Sequence, residues 1–435
     1  MKMNHSPYRP PGAQVALAFA VACTLWIFST SAAAKGASKG PYRKLNIFSS
    51  VLSLIEQNHV EDIHEDELII GAIEGMLRAL DPHSSFLTQE EFTMLKEDTE
   101  GNFCGVGMEV GIKDNRLTVI SPIPDSPAVK AGILPGDRII KIDGLSTDSM
   151  DLMEAVQRMR GKEGTDVTIT IEREGEEKPF EVVLTRAVIE LQSVEAELLA
   201  PGIAHIKIKS FQDGTAAGVR DQIKHMRLIG GGLDGIVLDL RRNPGGLMYE
   251  AVKVCDLFIS EGTLLSTKGR GGVIIESFSA HRAGTFDEPA MVVLIDGASA
   301  SASEIVAGAL QDHGRAMLVG MNSFGKGSVQ TIIPLQDGSG LKLTTARYYT
   351  PAGRSIQARG IEPDVVVESL NAPAPDELTQ SISQMPAEDD LPGHLKKETV
   401  AEKQSNETPV NDYQLRMGYQ ILQGLVRAKA AKQNE

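Results

Sequence analysis

A serine hydroxyl attacks a carbonyl only when a base within reach takes its proton and N–H donors face the oxygen that turns negative. The stretch Asp296-Gly297-Ala298-Ser299-Ala300-Ser301-Ala302-Ser303-Glu304-Ile305-Val306 offers three hydroxyls where a buried-looking strand gives way to an apolar helix. A helix start presents free N–H groups and a partial positive charge, and the small residues there let a substrate backbone come close. By chemistry alone Ser299, Ser301 and Ser303 all qualify as nucleophile, and one of them would serve equally well as a plain helix cap.

The base candidate lies downstream. Lys326 is the only charged residue in Gly320-Met321-Asn322-Ser323-Phe324-Gly325-Lys326-Gly327-Ser328-Val329-Gln330. Gln330, four residues on, shares its face in either a strand or a helix. An amine is a base only when neutral, so the pKa must fall from about 10.4 by roughly three units, a cost of about 4 kcal/mol that burial has to impose. A dry pocket in which Gln330 positions the amine would meet that need, although a lysine between glycines is ordinarily a surface residue. A third piece is Asp239-Leu240-Arg241-Arg242-Asn243-Pro244-Gly245-Gly246-Leu247, a glycine turn at a strand's carboxyl end, where α/β sheets place ligand sites. The backbone N–H groups of this turn are candidates for the second oxyanion donor.

Other chemistries are excluded or weakened by what is missing. The 435 residues carry 58 acidic and 43 basic side chains, a formal charge of −15, and hold no basic block, which argues against a nucleic-acid partner. Three cysteines, Cys23, Cys104 and Cys255, are too few for a disulfide scaffold and are not spaced for zinc; Cys104 and Cys255 read as free thiols. The ligand-like clusters Asp81/His83 and His59/Glu61/His64 give no reason to expect a metal, and Gly269-Arg270-Gly271-Gly272 has no Walker lysine, so no cofactor is expected. His281 or His313 would have to serve a Ser-His-Asp enzyme, but neither a Gly-x-Ser-x-Gly elbow nor a Gly-Asn-Ser-Gly-Gly motif occurs.

The elements that would position these residues follow from periodicity. Residues 1–34 read as a secretory signal: Lys2 and Arg9, an apolar run from Ala13 to Phe28, then Ala32-Ala33-Ala34, with a short membrane anchor as the alternative. An exported, periplasmic protein is expected, membrane-associated if the signal stays uncut. Residues 41–100 form a helical segment with apolar stripes such as Leu45, Phe48, Leu52 and Ile55, broken by Pro82. Short alternating strands with glycine turns occupy 102–186, and residues 187–370 alternate apolar strands with helices, which predicts an α/β sheet covered on both faces. The polar stretch 371–411 reads as a disordered linker, and 412–435 as a last helix with Asp412 as N-cap and Leu415, Tyr419, Leu422 and Val426 on one face. Either that stripe packs on its own domain or it joins subunits into a homo-oligomer.

Within 102–186, the run Phe103-Cys104-Gly105-Val106-Gly107-Met108-Glu109-Val110, then Ser126-Pro127-Ala128, Ala131-Gly132 and Gly136-Asp137-Arg138-Ile139-Ile140-Lys141-Ile142-Asp143-Gly144, resembles a PDZ domain in its bacterial protease arrangement. A loop of exposed N–H groups, here Gly105-Val106-Gly107, holds a C-terminal carboxylate while the next strand pairs with an extended tail. Arg160, which closes this region, reads as a solvated side chain or a relay to the next domain.

Together with Leu80-Asp81-Pro82-His83-Ser84, Phe324-Gly325-Lys326-Gly327-Ser328-Val329-Gln330 and Thr350-Pro351-Ala352-Gly353-Arg354-Ser355-Ile356-Gln357, the chain resembles the carboxyl-terminal processing peptidases over about residues 45–370. That resemblance implies a multidomain α/β Ser/Lys protease core preceded by a PDZ domain. It implies Ser301 as nucleophile, Lys326 as base, Gln330 as the lysine's support, and the N–H groups of Ala302 and of Gly245 or Gly246 as oxyanion donors. Protein substrates with accessible C-terminal tails are the implied partners, with an adaptor protein as a further one. Arg242 stands where many members carry glycine. The alternative is a non-catalytic PDZ scaffold that binds tails.

Overall fold

The structure is a computed structural model that describes residues 41–368 and 412–433. The expected signal and linker lie outside the described residues. The chain divides into two units, Met1–Ala79 and Leu80–Glu435. In the first, α1 (Pro41–Asn58) and α2 (Glu65–Arg78) are the described elements. Glu65, Asp66 and Glu67 favour the positive end of α2, and Arg78 its negative end. On α1, Leu45 and Phe48 of the expected stripe are exposed while Leu52 and Ile55 are half-buried.

The second unit opens with the Asp81-Pro82-His83-Ser84 turn, β1 (Ser85–Leu87) and α3 (Gln89–Glu100). A capping box starts α3: Thr88 Oγ1 accepts the Glu91 N–H at 3.2 Å and the Glu91 carboxylate accepts the Thr88 N–H at 2.9 Å. Next come β2 (Asn102–Gly105), β3 (Met108–Lys113), β4 (Arg116–Pro122), α4 (Pro127–Lys130), β5 (Arg138–Ile142), β6 (Leu145–Ser146), α5 (Leu152–Met159), β7 (Asp166–Glu172), β8 (Phe180–Thr185) and β9 (Ala187–Glu190). Strands β3-β4-β5-β7-β8 form one antiparallel sheet, with β6 on β5. In β7 the alternation puts Val167, Ile169 and Ile171 into a core shared with Ala155 and Met159 of α5.

The remaining elements are β10 (Val194–Ala200), β11 (Ile203–Ile208), α6 (Thr215–Ile229), β12 (Gly235–Asp239), α7 (Met248–Asp256), β13 (Thr263–Lys268), β14 (Ile274–Ser279), β15 (Ala290–Ile295), α8 (Ala302–Asp312), β16 (Met317–Gly320), β17 (Ser328–Pro334), β18 (Gly340–Tyr349), β19 (Val365–Val366) and α9 (Tyr413–Gln433). The main sheet runs β10-β11-β12-β15-β16-β19, parallel from β11 onward. A second sheet, β1-β18-β13-β14 with β17 also on β18, flanks the site.

Strand β15 shows why the main sheet needs two cover layers. Met291, Val293 and Ile295 face the core with Val219 and Ile223 of α6, Val254 of α7 and Ile305 of α8. Val292 and Leu294 face the other way, into a cluster with Leu415 and Leu422 of α9. The terminal stripe is thus spent within the chain: Leu422 is fully buried, and Tyr419 and Val426 pack against the same cluster. Of the two readings of that stripe, the one observed is packing on the chain's own domain. A sheet with two apolar faces needs a second layer, and burying one Leu against it stabilises the fold by about 1.5–3 kcal/mol.

Helix α9 is also pinned at its start. Asp412 caps it, accepting the Leu415 N–H at 3.1 Å, and binds Arg241 at 2.7 and 2.8 Å. Arg241 reaches Asp239 with its other side, and Gln414 donates to Val367 O at 2.8 Å. Arg160 is neither solvated nor bare: it pairs with Glu97 at 2.9 Å and stacks over Phe103. Both described cysteines, Cys104 and Cys255, are free thiols.

Candidate active site

The turn between β15 and α8 holds Ser301 at φ 55°, ψ −111°, a conformation that L residues rarely adopt. It is a sharp strand-to-helix turn reached without the glycines of the Gly-x-Ser-x-Gly signature; Ala300 and Ala302 supply the small flanks. The structure separates the three serines. Ser299 Oγ donates to Leu240 O at 2.8 Å and accepts the Asp296 N–H at 2.9 Å, and Ser303 Oγ donates to Asn243 O at 3.0 Å. Both are fully buried ties between the turn and the β12 loop. Ser301 instead begins α8 in a capping box with Glu304 and makes no tie to the β12 loop.

The glycine turn after β12 is packed on this serine. Asn243 O accepts the Ala300 N–H at 3.0 Å. A Cβ on Gly245 would sit 2.8 Å from Ser301 Cβ and 2.9 Å from Ala302 N, and one on Gly246 would meet Phe211 O at 2.2 Å. Only glycine permits either approach, and both residues have positive φ. The Gly245 N–H is donated to Asn243 Oδ1 at 2.9 Å. Arg242 has φ 58°, which explains why glycine is at home there.

Lys326 joins the site through Glu304, a residue present in the quoted motif but given no role by the sequence. Glu304 is fully buried and its carboxylate accepts four hydrogen bonds. Oε2 takes the N–H of Ser301 at 2.7 Å and of Lys326 at 2.9 Å; Oε1 takes Ser323 Oγ and the Gly325 N–H, both at 2.6 Å. One oxygen therefore binds the backbone of both the nucleophile candidate and the base candidate. The Ser301-x-x-Glu304 spacing is that of a capping box, the one sequence signal that points to this residue. Behind the lysine, Gln357 Oε1 accepts the Gly327 N–H at 3.1 Å and Gly325 O accepts the Ala358 N–H at 2.9 Å, which accounts for the Thr350–Gln357 motif.

Burial pushes the Lys326 amine below the usual lysine range, and the charge of Lys342 pushes it the same way. Gln330 lies in β17 just after a bulge between Val329 and Gln330, so plain alternation from Lys326 does not set its direction. Its amide NH₂ donates to Ser328 Oγ at 2.8 Å and toward Thr344 Oγ1 at 3.4 Å. Thr344 in turn donates to Asp81 Oδ1 at 3.0 Å, and Ser84 Oγ accepts the Thr344 N–H at 3.1 Å. The turn before β1 is thereby fastened to the strand facing Gln330. His83 of that turn is held below its ordinary pKa by burial first and by Lys326 second.

The two histidines considered as bases are engaged elsewhere: His281 binds Asp256 and is exposed, and His313 Nε2 donates to Thr263 O at 2.8 Å. Away from the serine, Gly105, Val106 and Gly107 line a cleft of about 820 Å³ with Met108, Val156 and Met159. Glu195, Lys209 and Gln212 form another part of its wall. Phe211, beside Gln212, donates its N–H to Gly245 O at 2.9 Å, so this wall runs directly into the glycine turn.

Residues 202–367 match peptidase family S41, residues 103–184 a PDZ domain, and residues 27–91 the activating protease CtpB N-terminal domain. A carboxy-terminal-processing protease of Bartonella bacilliformis is 42% identical over 391 residues, 88% of this chain and 89% of that protein. A carboxyl-terminal-processing protease of Synechocystis sp. is 42% identical over 72% of this chain and 75% of its own length. A probable CtpA-like serine protease of Staphylococcus aureus is 37% identical over 77% and 67%. Identity at this level across nearly the whole chain leaves one reading of the fold and its PDZ domain: the chain belongs to the carboxy-terminal-processing proteases, serine peptidases of family S41.

Proposed function

We propose that Ser301 is the nucleophile and neutral Lys326 its base. The Ser301 proton passes to Lys326 Nζ as Oγ bonds to the scissile carbonyl carbon. The N–H groups of Ala302 and of the glycine turn stabilise the oxyanion, the amine product leaves with the proton, and water hydrolyses the acyl-enzyme. Gln330 turns its NH₂ toward Ser328 and Thr344, which frees its carbonyl oxygen to hold the amine. The engagement of the Gly245 N–H by Asn243 favours Gly246 as second donor. The observation that carries this reading is the shared Glu304 oxygen, which binds the backbones of Ser301 and Lys326 together while burial depresses the amine.

The same proposal assigns the Gly105-Val106-Gly107 loop to the carboxylate of a substrate tail, places the protein outside the cytoplasm by way of the leader at 1–34, and restricts self-association to the exposed face of α1. An adaptor protein fits the scheme but has no residue assigned to it. Two unstructured substrates that differ only in a free or an amidated apolar tail test the recognition step. Losing a charge-assisted contact of about 1.5–3 kcal/mol should lower kcat/KM for the amidated form by roughly 10- to 100-fold. Equal cleavage would overturn tail recognition alone; full activity in Ser301→Ala would overturn the nucleophile.

A further inference from the structure

Asp81 lies far from Gln330 in the sequence, yet one hydroxyl joins them. Its Oδ1 accepts the N–H groups of His83 at 2.8 Å and of Ser84 at 2.9 Å, and the Thr344 hydroxyl at 3.0 Å. Its Oδ2 accepts the Ser84 hydroxyl at 2.7 Å. Ser84 Oγ in turn accepts the Thr344 N–H at 3.1 Å, so the turn grips the strand at two points. On the other side of Thr344, the Gln330 amide lies 3.4 Å from the same Oγ1 and 2.8 Å from Ser328 Oγ.

A primary amide has an oxygen that accepts and an NH₂ that donates, in nearly the same shape, so its neighbours choose which way it faces. Ser328 makes no choice, because its hydroxyl can accept from the one or donate to the other. Thr344 does choose. Burial pushes the Asp81 carboxyl up, but the hydrogen bonds from Ser84, His83 and Thr344 outweigh it and hold the carboxyl below its usual range. At any pH where a lysine works as a base, Asp81 is therefore an acceptor only. The single Thr344 proton goes to it, which leaves Oγ1 only lone pairs to offer Gln330. The amide gives its NH₂ to Thr344 and Ser328 and keeps its oxygen free.

We propose that Asp81, acting through Thr344, is a positioning residue of this peptidase: it fixes the Gln330 amide with the oxygen turned to the Lys326 amine. An oxygen there holds the amine by one N–H and leaves the amine's lone pair for the Ser301 proton. The reverse orientation would present an NH₂, which occupies that lone pair and disfavours the ammonium formed when the proton arrives. Asp81 acts at one remove and transfers no proton. The proposal rests on the Ser301/Lys326/Gln330 reading given above.

The test is kcat and KM on the unstructured substrate with a free apolar tail, for variants made in the wild type and again in Gln330→Ala. Thr344→Val keeps the shape of the side chain and removes the hydroxyl. Asp81→Ala frees the Thr344 proton to seek the amide oxygen. Each is expected to lower kcat roughly 10-fold, about what one hydrogen bond contributes, with KM unchanged. Thr344→Ser retains the hydroxyl and Asp81→Asn retains an Oδ1 acceptor, so both should recover most of that loss. In Gln330→Ala the first two should cost nothing further, whereas a merely structural role would cost the same in both backgrounds. Thr344→Val should also move the acid limb of the pH profile to lower pH, because the ammonium loses part of its support. It leaves in place the titratable and charged groups around Lys326: Lys342 of β18, His83 of the turn and Glu304 of α8.

Wild-type kcat in Thr344→Val, an equal loss in the Gln330→Ala background, or an acid limb that stays in place would overturn the role of Asp81 and leave the Ser/Lys pair standing. Should Asp81→Ala fail to fold, or Gln330→Ala prove too slow to measure, the Thr344→Val limb and the Thr344→Ser recovery decide alone. If Gln330→Ala cleaves at the wild-type rate, the amide supports nothing, and this inference falls with that part of the underlying reading.

Discussion

Lys326→Met is expected to abolish peptide cleavage while raising the melting temperature. Methionine has nearly the lysine stem's volume, so the pocket stays filled, but no group is left to take the Ser301 proton. Loss of a base acting in concert with its nucleophile costs on the order of 10⁴-fold or more in kcat. The stability gain follows from linkage. Burial lowers the Lys326 pKa in the folded state. The unfolded chain, with an ordinary value near about 10.4, then binds the proton more tightly. Folding loses stability as the pH falls below that ordinary value, and the loss is complete below the folded one. Methionine removes it at every pH in that range.

In the proposed mechanism the same depressed amine sets the acid limb of kcat/KM, so activity should rise with pH through the Lys326 value and not through a histidine's. Lys342→Gln removes the second cause of the shift, and should move that limb to higher pH and lower the activity at neutral pH. Thermal melts and a pH–rate profile check all three statements. Unchanged cleavage in Lys326→Met would remove the base from this scheme.

Glu304→Gln is expected to cost both stability and activity although it is nearly isosteric. The carboxylate is an acceptor on both oxygens, and all four of its partners are N–H or O–H donors. An amide must turn one NH₂ toward two of those donors. At about 1–3 kcal/mol for each buried donor left without an acceptor, the loss is about 2–6 kcal/mol. If the NH₂ falls on the Oε2 side, the backbones of Ser301 and Lys326 lose their common anchor; displacement of about 1 Å at such a point costs on the order of 10²-fold in rate. Ser323→Ala removes one of the four donors and also leaves the Ile361 N–H, which Ser323 Oγ accepts at 2.7 Å, without its acceptor. It should cost stability by about 1–3 kcal/mol yet spare kcat, because the Oε2 link between Ser301 and Lys326 stays in place. A denaturant melt alongside a kcat measurement separates the two effects; a Glu304→Gln protein with wild-type stability and rate would show that the clamp is dispensable.

How much of this was legible in the sequence depends on the range of the interaction. The apolar run Ala290–Ile295 announced a buried strand, and its alternate residues do face opposite layers. The stripe of Leu415 and Leu422 announced a buried helix face, but a stripe does not name what covers it, and its partner proved to be the chain's own sheet. The spacing Ser301-x-x-Glu304 was legible as a capping box; that the same carboxylate also holds Ser323, Gly325 and Lys326 was not, because those contacts depend on a loop some twenty residues away. Gln330 was placed on the lysine's face by regular periodicity, and the bulge before it breaks that regularity.

An activated peptidyl ester, which acylates faster than the acyl group is hydrolysed, puts the central claim to its most direct test. Acid-quenched protein is digested and the acylated peptide identified by mass. A Ser301/Lys326 enzyme should carry the acyl group on Ser301 in the wild type and carry none in Lys326→Met over the same interval. An acyl group on Ser299 or Ser303, or its appearance on Ser301 at an undiminished rate without Lys326, would contradict the account.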